Sequence, residues 1–313
     1  MQLGELLWTQ LIILLSTQKS HWTFDSDSAL TRLRRKAHDD YVESHRGSIS
    51  DEDLEAVLFT YEEEYILARH YEFIMKEFCN RFQPPMPKYV LGTAMTYFKR
   101  FYLYNSVMDF HPRDITLTSV YLASKVEEFN VSINQFVGNL KGDRDKFANV
   151  ILGFELLLME KLSYHLTVHN PFRPLEGFLI DMKTNCQTCS DPEILRPQAE
   201  EFLEKSMLTD ICLLVSPAQI SLAAILDSCS LKNIDIMSYV TSVLMKGAES
   251  DQKKRAMQQI KLIQITVNNQ NSLKREHIRQ LEKKLEKCRN QENNPDSEVY
   301  KKKMQEMFED EKL

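Results

Sequence analysis

Hydrophobic residues recur along most of the chain at steps of three and four, the spacing of an amphipathic helix. Between positions 51 and 81 this pattern predicts a long first helix, which ends at the Gln83-Pro84-Pro85 block. Further helices are predicted from Pro87 to about Tyr104, near Ser132 to Leu140, and from about Asp145 to His165. The apolar positions of the first helix are Leu54, Leu58, Tyr61, Tyr65, Ala68, Tyr71 and Met75.

A segment without charge follows Pro112. The stretch from Ile115 to Ser124 is apolar or small on every side, so we expect a helix that is buried all round. Such a helix needs others packed around it, which predicts a compact bundle. Lys125, Glu127 and Glu128 indicate that its carboxyl end reaches the surface.

The second half of the chain repeats this pattern. A shift of 105 positions aligns SPAQISLAAIL, around Pro217, with HPRDITLTSVY, around Pro112. Chance similarity between two buried helices is the alternative. We expect an all-α fold of two tandem five-helix bundles, each around a central buried helix, with flanking N- and C-terminal helices. The predicted domains are an N-terminal extension and helix (1–50), two repeats (51–168 and 169–248), and a charged C-terminal helix and tail (249–313).

The two ends of the chain differ in character. Leu6 to Leu15 form an apolar run that is too short to span a bilayer, and no Lys or Arg precedes it as in a secretory signal. We expect a docked or loosely ordered amphipathic terminus, with a cleaved signal as the alternative, and no membrane partner. Near the other end, Ile278, Leu281, Leu285 and Cys288 form a seam too short for a coiled coil, which favours docking onto the core or a partner.

Composition limits the function classes. The 313 residues include only 8 glycines and 10 prolines, which suits a helical protein with few turns. The net charge of −6 gives no broad basic face, so we expect no direct binding of nucleic acid. The six cysteines are too sparse for a disulfide scaffold. No G-x-G-x-x-G, G-x-x-x-x-G-K-[ST], G-x-S-x-G or H-E-x-x-H occurs, so we expect no catalytic residues and no cofactor.

One combination of residues resembles a zinc site. Cys186 and Cys189 lie in a C-x-x-C spacing, with His165 and His169 upstream. A proline-interrupted segment and a predicted helix separate the two pairs, whereas zinc ligands usually lie closer together. We therefore expect no metal.

The run LASKVEEF, from Leu122 to Phe129, resembles the cyclin box. The similarity extends to HWTF at His21 to Phe24, to Met86 to Arg113, to FNVSINQFVGNL, and to LTVHNPFRPLEGFLIDMKT from Leu166. It covers about residues 20 to 290. The chain is thus identified as a member of the cyclin family.

This resemblance implies a non-catalytic activator of cyclin-dependent kinase 7. With an assembly factor, the MAT subunit, it would form the CDK-activating kinase, which phosphorylates the activation loops of other cyclin-dependent kinases. Together with the TFIIH core it would act on the RNA polymerase II C-terminal domain, in the nucleus. The alternatives are a cyclin for another transcriptional kinase, or a transcription factor resembling TFIIB, which the acidic balance and the absence of a zinc ribbon disfavour.

The resemblance also assigns a kinase interface. In cyclins a Lys and a Glu hold main-chain groups just before the kinase's αC helix, and an apolar floor takes the helix itself. By the resemblance, the matching pair here is Lys125 and Glu155. The matching floor is Leu122, Val126, Met159, Tyr164 and Leu166.

Overall fold

The computed structural model describes residues 16–45, 57–270 and 274–310, and every regular element in these ranges is helical. Leu6 to Leu15 and Leu54 lie outside the described residues. No helix within the ranges is long and apolar enough to cross a bilayer. The helices, in chain order, are α1 (Thr17–Trp22), α2 (Asp27–His45), α3 (Tyr61–Arg81), α4 (Lys88–Phe101), α5 (Pro112–Val126), α6 (Ile133–Gly138), α7 (Arg144–Lys161), α8 (Phe172–Asn185), α9 (Arg196–Met207), α10 (Pro217–Leu231), α11 (Met237–Tyr239), α12 (Ser250–Asn268), α13 (Arg275–Cys288) and α14 (Glu298–Asp310).

The chain divides into two compact units, each built from separate stretches of chain. The N-repeat unit comprises Ser26–Leu166 and Ser272–Leu313, and the C-repeat unit comprises Met1–Asp25 and Thr167–Asn271. Helices α3 to α7 form the bundle of the first unit, and α8 to α12 form that of the second. The predicted all-α fold with two tandem bundles is therefore confirmed.

The first helix of the bundle begins later than its hydrophobic pattern predicts. Thr60 is extended and caps α3: its hydroxyl accepts from the Glu63 N–H, and the Glu63 carboxylate accepts from the Thr60 N–H. This reciprocal capping box satisfies two backbone donors and defines the start at Tyr61. Leu58 is only 3% exposed although it lies in a bend before the helix, so its apolar position reflects burial of a non-helical segment.

Helix α5 is the central helix of the N-repeat unit. Its predicted burial on all sides is confirmed, because Ile115, Val120 and Ala123 have no exposed surface and the polar residues between them are buried as well. His111 caps its start, where the imidazole Nδ1 accepts from the Arg113 N–H at 3.1 Å. Its last turn reaches the surface, where the side chain of Lys125 is 44% exposed.

Helix α10 repeats α5 with the predicted offset of 105 positions and the same length. Both helices are followed by a residue in the left-handed region, Glu128 with φ 58° and Asn233 with φ 54°. In each case the next N–H bonds to a carbonyl five residues earlier, over 2.8 Å and 2.9 Å. The shared start, length and end favour an internal repeat over chance similarity.

The left-handed backbone conformation of Glu128 lowers the stability of the protein. A residue with a Cβ costs about 1–2 kcal/mol of stability in the left-handed region. Glycine avoids this cost but loses more backbone entropy on folding, which offsets about half of the gain. We expect Glu128→Gly to raise the free energy of unfolding by about 0.5–1 kcal/mol, as measured by urea unfolding. Asn233→Gly is the matched change, with a smaller expected gain because asparagine tolerates this conformation. A loss of stability in Glu128→Gly would contradict the argument.

Helix α12 completes the core of the C-repeat unit. Its residues Ile260, Ile263 and Val267 are at most 2% exposed and belong to the same apolar cluster as α10. The domain limits drawn from the sequence, 169–248 and 249–313, place this helix in the charged tail, whereas the structure uses it as the fifth helix of the second bundle.

The C-terminal seam lies in the N-repeat unit. Ile278, Leu281, Leu285 and Cys288 are all buried, and their helix α13 packs against α3. The Tyr41 hydroxyl of α2 donates to the Cys288 carbonyl at 2.9 Å, so both flanking helices join the first bundle. Docking of the seam onto the core is confirmed.

Candidate functional site

Lys125 and Glu155 form an ion pair at one edge of the N-repeat unit. Lys125 lies in the last turn of α5 and Glu155 in α7, and the two helices pack together. The Lys125 Nζ lies 2.6 Å from Oε1 and 2.8 Å from Oε2 of Glu155. The Glu155 side chain is only 15% exposed. An ammonium has three donors and a carboxylate about four acceptor positions, so the pair can also bind the main chain of a partner.

Tyr121 supports the lysine from a second side. Its ring centroid lies 4.5 Å from the Lys125 Nζ, within the range of a cation–π interaction. Tyr121 precedes Lys125 by one helical turn, so both side chains lie on the same face of α5. The resemblance to cyclins did not single out this tyrosine. The i, i+4 spacing of an aromatic residue and a lysine was the available signal.

The five predicted floor residues lie on α5, on α7 and in the turn that follows α7. Leu122 is only 3% exposed, so it supports the surface from below. Val126, Met159 and Leu166 are half-buried, and Tyr164 is 60% exposed. Most of the surface that a partner could cover therefore comes from Tyr164. Contact of these residues with a kinase stays a prediction.

Helix α4 holds the turn that carries Tyr164 and Leu166. The Tyr97 hydroxyl donates to the Leu166 carbonyl at 2.5 Å, and the Arg100 guanidinium donates to the His165 carbonyl at 3.1 Å. Both side chains are fully buried, and burial raises the pKa of the Tyr97 phenol, which keeps it a donor. No sequence motif singled out Tyr97. Arg100 and Lys99 follow a long segment of α4 without charge, which was the available signal for buried polar contacts.

The carboxyl end of α5 is fixed by a second contact from α4. The Thr93 hydroxyl donates to the Glu127 Oε1 at 2.5 Å. Glu127 is the C-cap of α5 and lies two residues beyond Lys125. This bond limits the motion of the turn that presents the ion pair.

The residues of the zinc-like spacing have other surroundings. Cys186 and Cys189 are buried in the apolar core of the C-repeat unit, together with Cys229. Burial raises the pKa of the Cys189 thiol, which disfavours the thiolate that zinc would need. Across residues 16–45, 57–270 and 274–310, no group of three or more His, Cys, Asp or Glu is placed to hold a metal ion.

Two cyclin domains match the chain. The cyclin N-terminal domain matches residues 66–167, and the cyclin C-terminal domain matches residues 170–291. The first range runs from within α3 through α7, and the second covers α8 to α13, including α12. The chain belongs to the cyclin family.

Cyclin-H of Xenopus laevis is 44% identical over 280 residues, which are 88% of this chain and 87% of that protein. Two solved structures share the fold. One is the CAK complex of Chaetomium thermophilum bound to ATP-gamma-S, with a TM-score of 0.76 and 24% identity over 90% of each chain. The other is the yeast TFIIK (Kin28/Ccl1/Tfb3) complex, with a TM-score of 0.59 and 23% identity over 81% of this chain and 99% of that one.

Proposed function

We propose that this chain is the non-catalytic cyclin subunit of a CDK-activating kinase, in which it binds and activates cyclin-dependent kinase 7. Membership of the cyclin family and the 44% identity to a cyclin-H support the proposal. The observation that carries it is the bidentate ion pair of Lys125 and Glu155, the two residues that the resemblance to cyclins assigns to kinase binding.

The chemistry of the pair suits main-chain recognition. Each hydrogen bond between a charged side chain and a partner's backbone contributes about 1.5–3 kcal/mol. As a partly exposed ion pair without a bound kinase, the same two residues contribute at most about 1 kcal/mol to stability. We therefore expect the pair to contribute more to kinase binding than to the stability of the free chain. The side chains of Met159 and Tyr164 would contact the αC helix beside the pair.

Binding would act on the kinase through its αC helix. Phosphoryl transfer requires the αC glutamate to pair with the β3 lysine that positions the ATP phosphates. A kinase that holds αC outward is inactive, and a cyclin that binds the inward state shifts the population. To shift the ratio of inward to outward states from 1:99 to 99:1, the cyclin must bind the inward state more tightly by about 5.5 kcal/mol.

Further partners belong to the same proposal. The complex would include the MAT assembly subunit, join the TFIIH core, and phosphorylate the activation loops of other kinases and the RNA polymerase II C-terminal domain. Nuclear localisation follows from that role, and the exposed run from Lys301 to Lys303 is a candidate import signal.

Reconstitution tests the proposal. The full chain is mixed with cyclin-dependent kinase 7, with and without the assembly subunit, and kinase activity is measured. We expect activation by the native chain, and its loss in Lys125→Ala/Glu155→Ala with unchanged circular dichroism. Lys146→Ala/Asp296→Ala is the matched control, because it removes another half-exposed ion pair of the same unit.

Full activation by the Lys125→Ala/Glu155→Ala variant would show that the site is placed wrongly. Activation of a different transcriptional kinase only, or salt-sensitive retention on DNA without kinase binding, would favour the alternative functions.

A further inference from the structure

The Lys125 ammonium is held from two directions. Glu155 accepts both of its short hydrogen bonds, and the face of Tyr121 lies 4.5 Å from the nitrogen. A lysine stem is flexible and carries about 2 kcal/mol of rotamer entropy when free. Restraint before binding lowers the entropy that is lost on binding. Restraint by the tyrosine therefore favours the binding of any partner that Lys125 contacts.

Tyr121 is itself fixed by aromatic packing. It is only 6% exposed, and its ring lies edge-on to that of Phe136 with centroids 5.3 Å apart. Phe136 is fully buried and also contacts Phe78 at 5.5 Å and Phe82 at 5.6 Å. Residues of α3, α5 and α6 therefore lock the ring in place below the ammonium.

The geometry points to Tyr121 as a positioning residue of the kinase-binding surface, which orients the Lys125 ammonium toward the partner's main chain. This inference rests on the proposed function, because it requires Lys125 to contact the kinase. A partner that covers the site removes water from it, which strengthens the attraction between ring and cation. The contribution of the ring is therefore larger in the complex than in the free chain.

Kinase affinity of three single variants gives the first test. Tyr121→Phe keeps the aromatic face and should bind the kinase like the native chain. Tyr121→Leu keeps apolar bulk but loses the ring, and we expect a two- to fivefold weaker affinity. Phe82→Leu is the matched control: it removes a ring from the same aromatic cluster without contact to Lys125. We expect it to lower the melting temperature and leave kinase affinity unchanged.

A double-mutant cycle separates positioning from packing. In a Lys125→Met background no ammonium remains to be oriented, so Tyr121→Leu should weaken binding no further. An equal loss of affinity in both backgrounds, or no loss in either, would falsify the positioning role. If Lys125→Met alone leaves affinity unchanged, the assignment of the kinase interface fails, and the inference fails with it. A loss with Lys125→Met but none with Tyr121→Leu overturns only the inference.

Discussion

Replacement of Lys99 by methionine is expected to lower the free energy of unfolding by about 3–5 kcal/mol. The Lys99 Nζ lies 2.6 Å from the Glu72 Oε1, and the two side chains are 0% and 4% exposed. Methionine fills a similar volume but leaves the Glu72 carboxylate buried, with the Arg69 guanidinium 3.4 Å from it. Loss of the closest partner of a buried charge is among the most costly single changes in a protein core. Urea unfolding measures the loss.

Two further variants test whether charge burial is the cause. Lys301→Met removes an ion pair whose side chains are 56% and 91% exposed, and it should leave the free energy of unfolding nearly unchanged. Lys99→Met/Glu72→Gln removes both charges, so it should recover part of the loss. A cost below about 1 kcal/mol for Lys99→Met would contradict the argument.

Acidification from pH 7 to pH 5 is expected to cost about 2 kcal/mol of stability through His111 alone. Burial, together with the nearby Arg289 and Arg113, lowers the pKa of His111 to about 3. The unfolded chain binds a proton at this histidine below its ordinary pKa of 6.5, whereas the folded chain does not. Stability from this residue is therefore complete above pH 6.5 and falls by about 1.4 kcal/mol per pH unit below it. The neutral ring also explains why Nδ1 can accept the Arg113 N–H bond.

The variant His111→Asn isolates this effect. Asparagine retains a cap acceptor for α5 but does not titrate. We expect the difference in stability between the native chain and the variant to shrink by about 2 kcal/mol from pH 7 to pH 5 in denaturant unfolding. A difference that stays constant would show that His111 is protonated in the folded state.

The stability that His38 contributes to the native chain depends on pH with the opposite sign. Hydrogen bonding and charge from Glu64 raise its pKa against the effect of burial, and the two groups lie 2.7 Å apart. Its contribution is present below pH 6.5 and is lost as pH rises through the folded pKa. The comparison with His111→Asn cancels this term, because both proteins contain His38.

Much of the fold follows from the sequence because two helices each contain a long segment without charge. A helix such as α5, buried on every side, cannot be confused with a surface helix, and its repetition in α10 predicts the second bundle. The start of α3 was placed too early because buried apolar residues such as Leu58 also occur in the bend before the helix. Hydrophobic spacing alone does not distinguish these cases.

Other features depend on contacts that no local pattern encodes. Helix α12 is mostly polar, with Lys253, Lys254 and Arg255 in its first turns, so only a narrow apolar stripe indicates that it belongs to a core. The pairing of Lys125 with Glu155 joins residues 30 positions apart on different helices, and it was expected only because of the resemblance to cyclins. The roles of Tyr97 and Arg100 require knowledge of which carbonyls lie opposite them.

The interleaved units have a consequence for the order of folding during synthesis. Helix α3 is covered by α13, and the Tyr71 hydroxyl of α3 donates to the Glu282 carboxylate of α13 at 3.4 Å. The whole second repeat is translated between these two helices, at about 5–20 residues per second. The first repeat therefore leaves the ribosome with one apolar face uncovered and completes its packing last, although it is made first. During that interval this face is a natural contact for chaperones, and a ribosome stalled between the repeats would prolong its exposure.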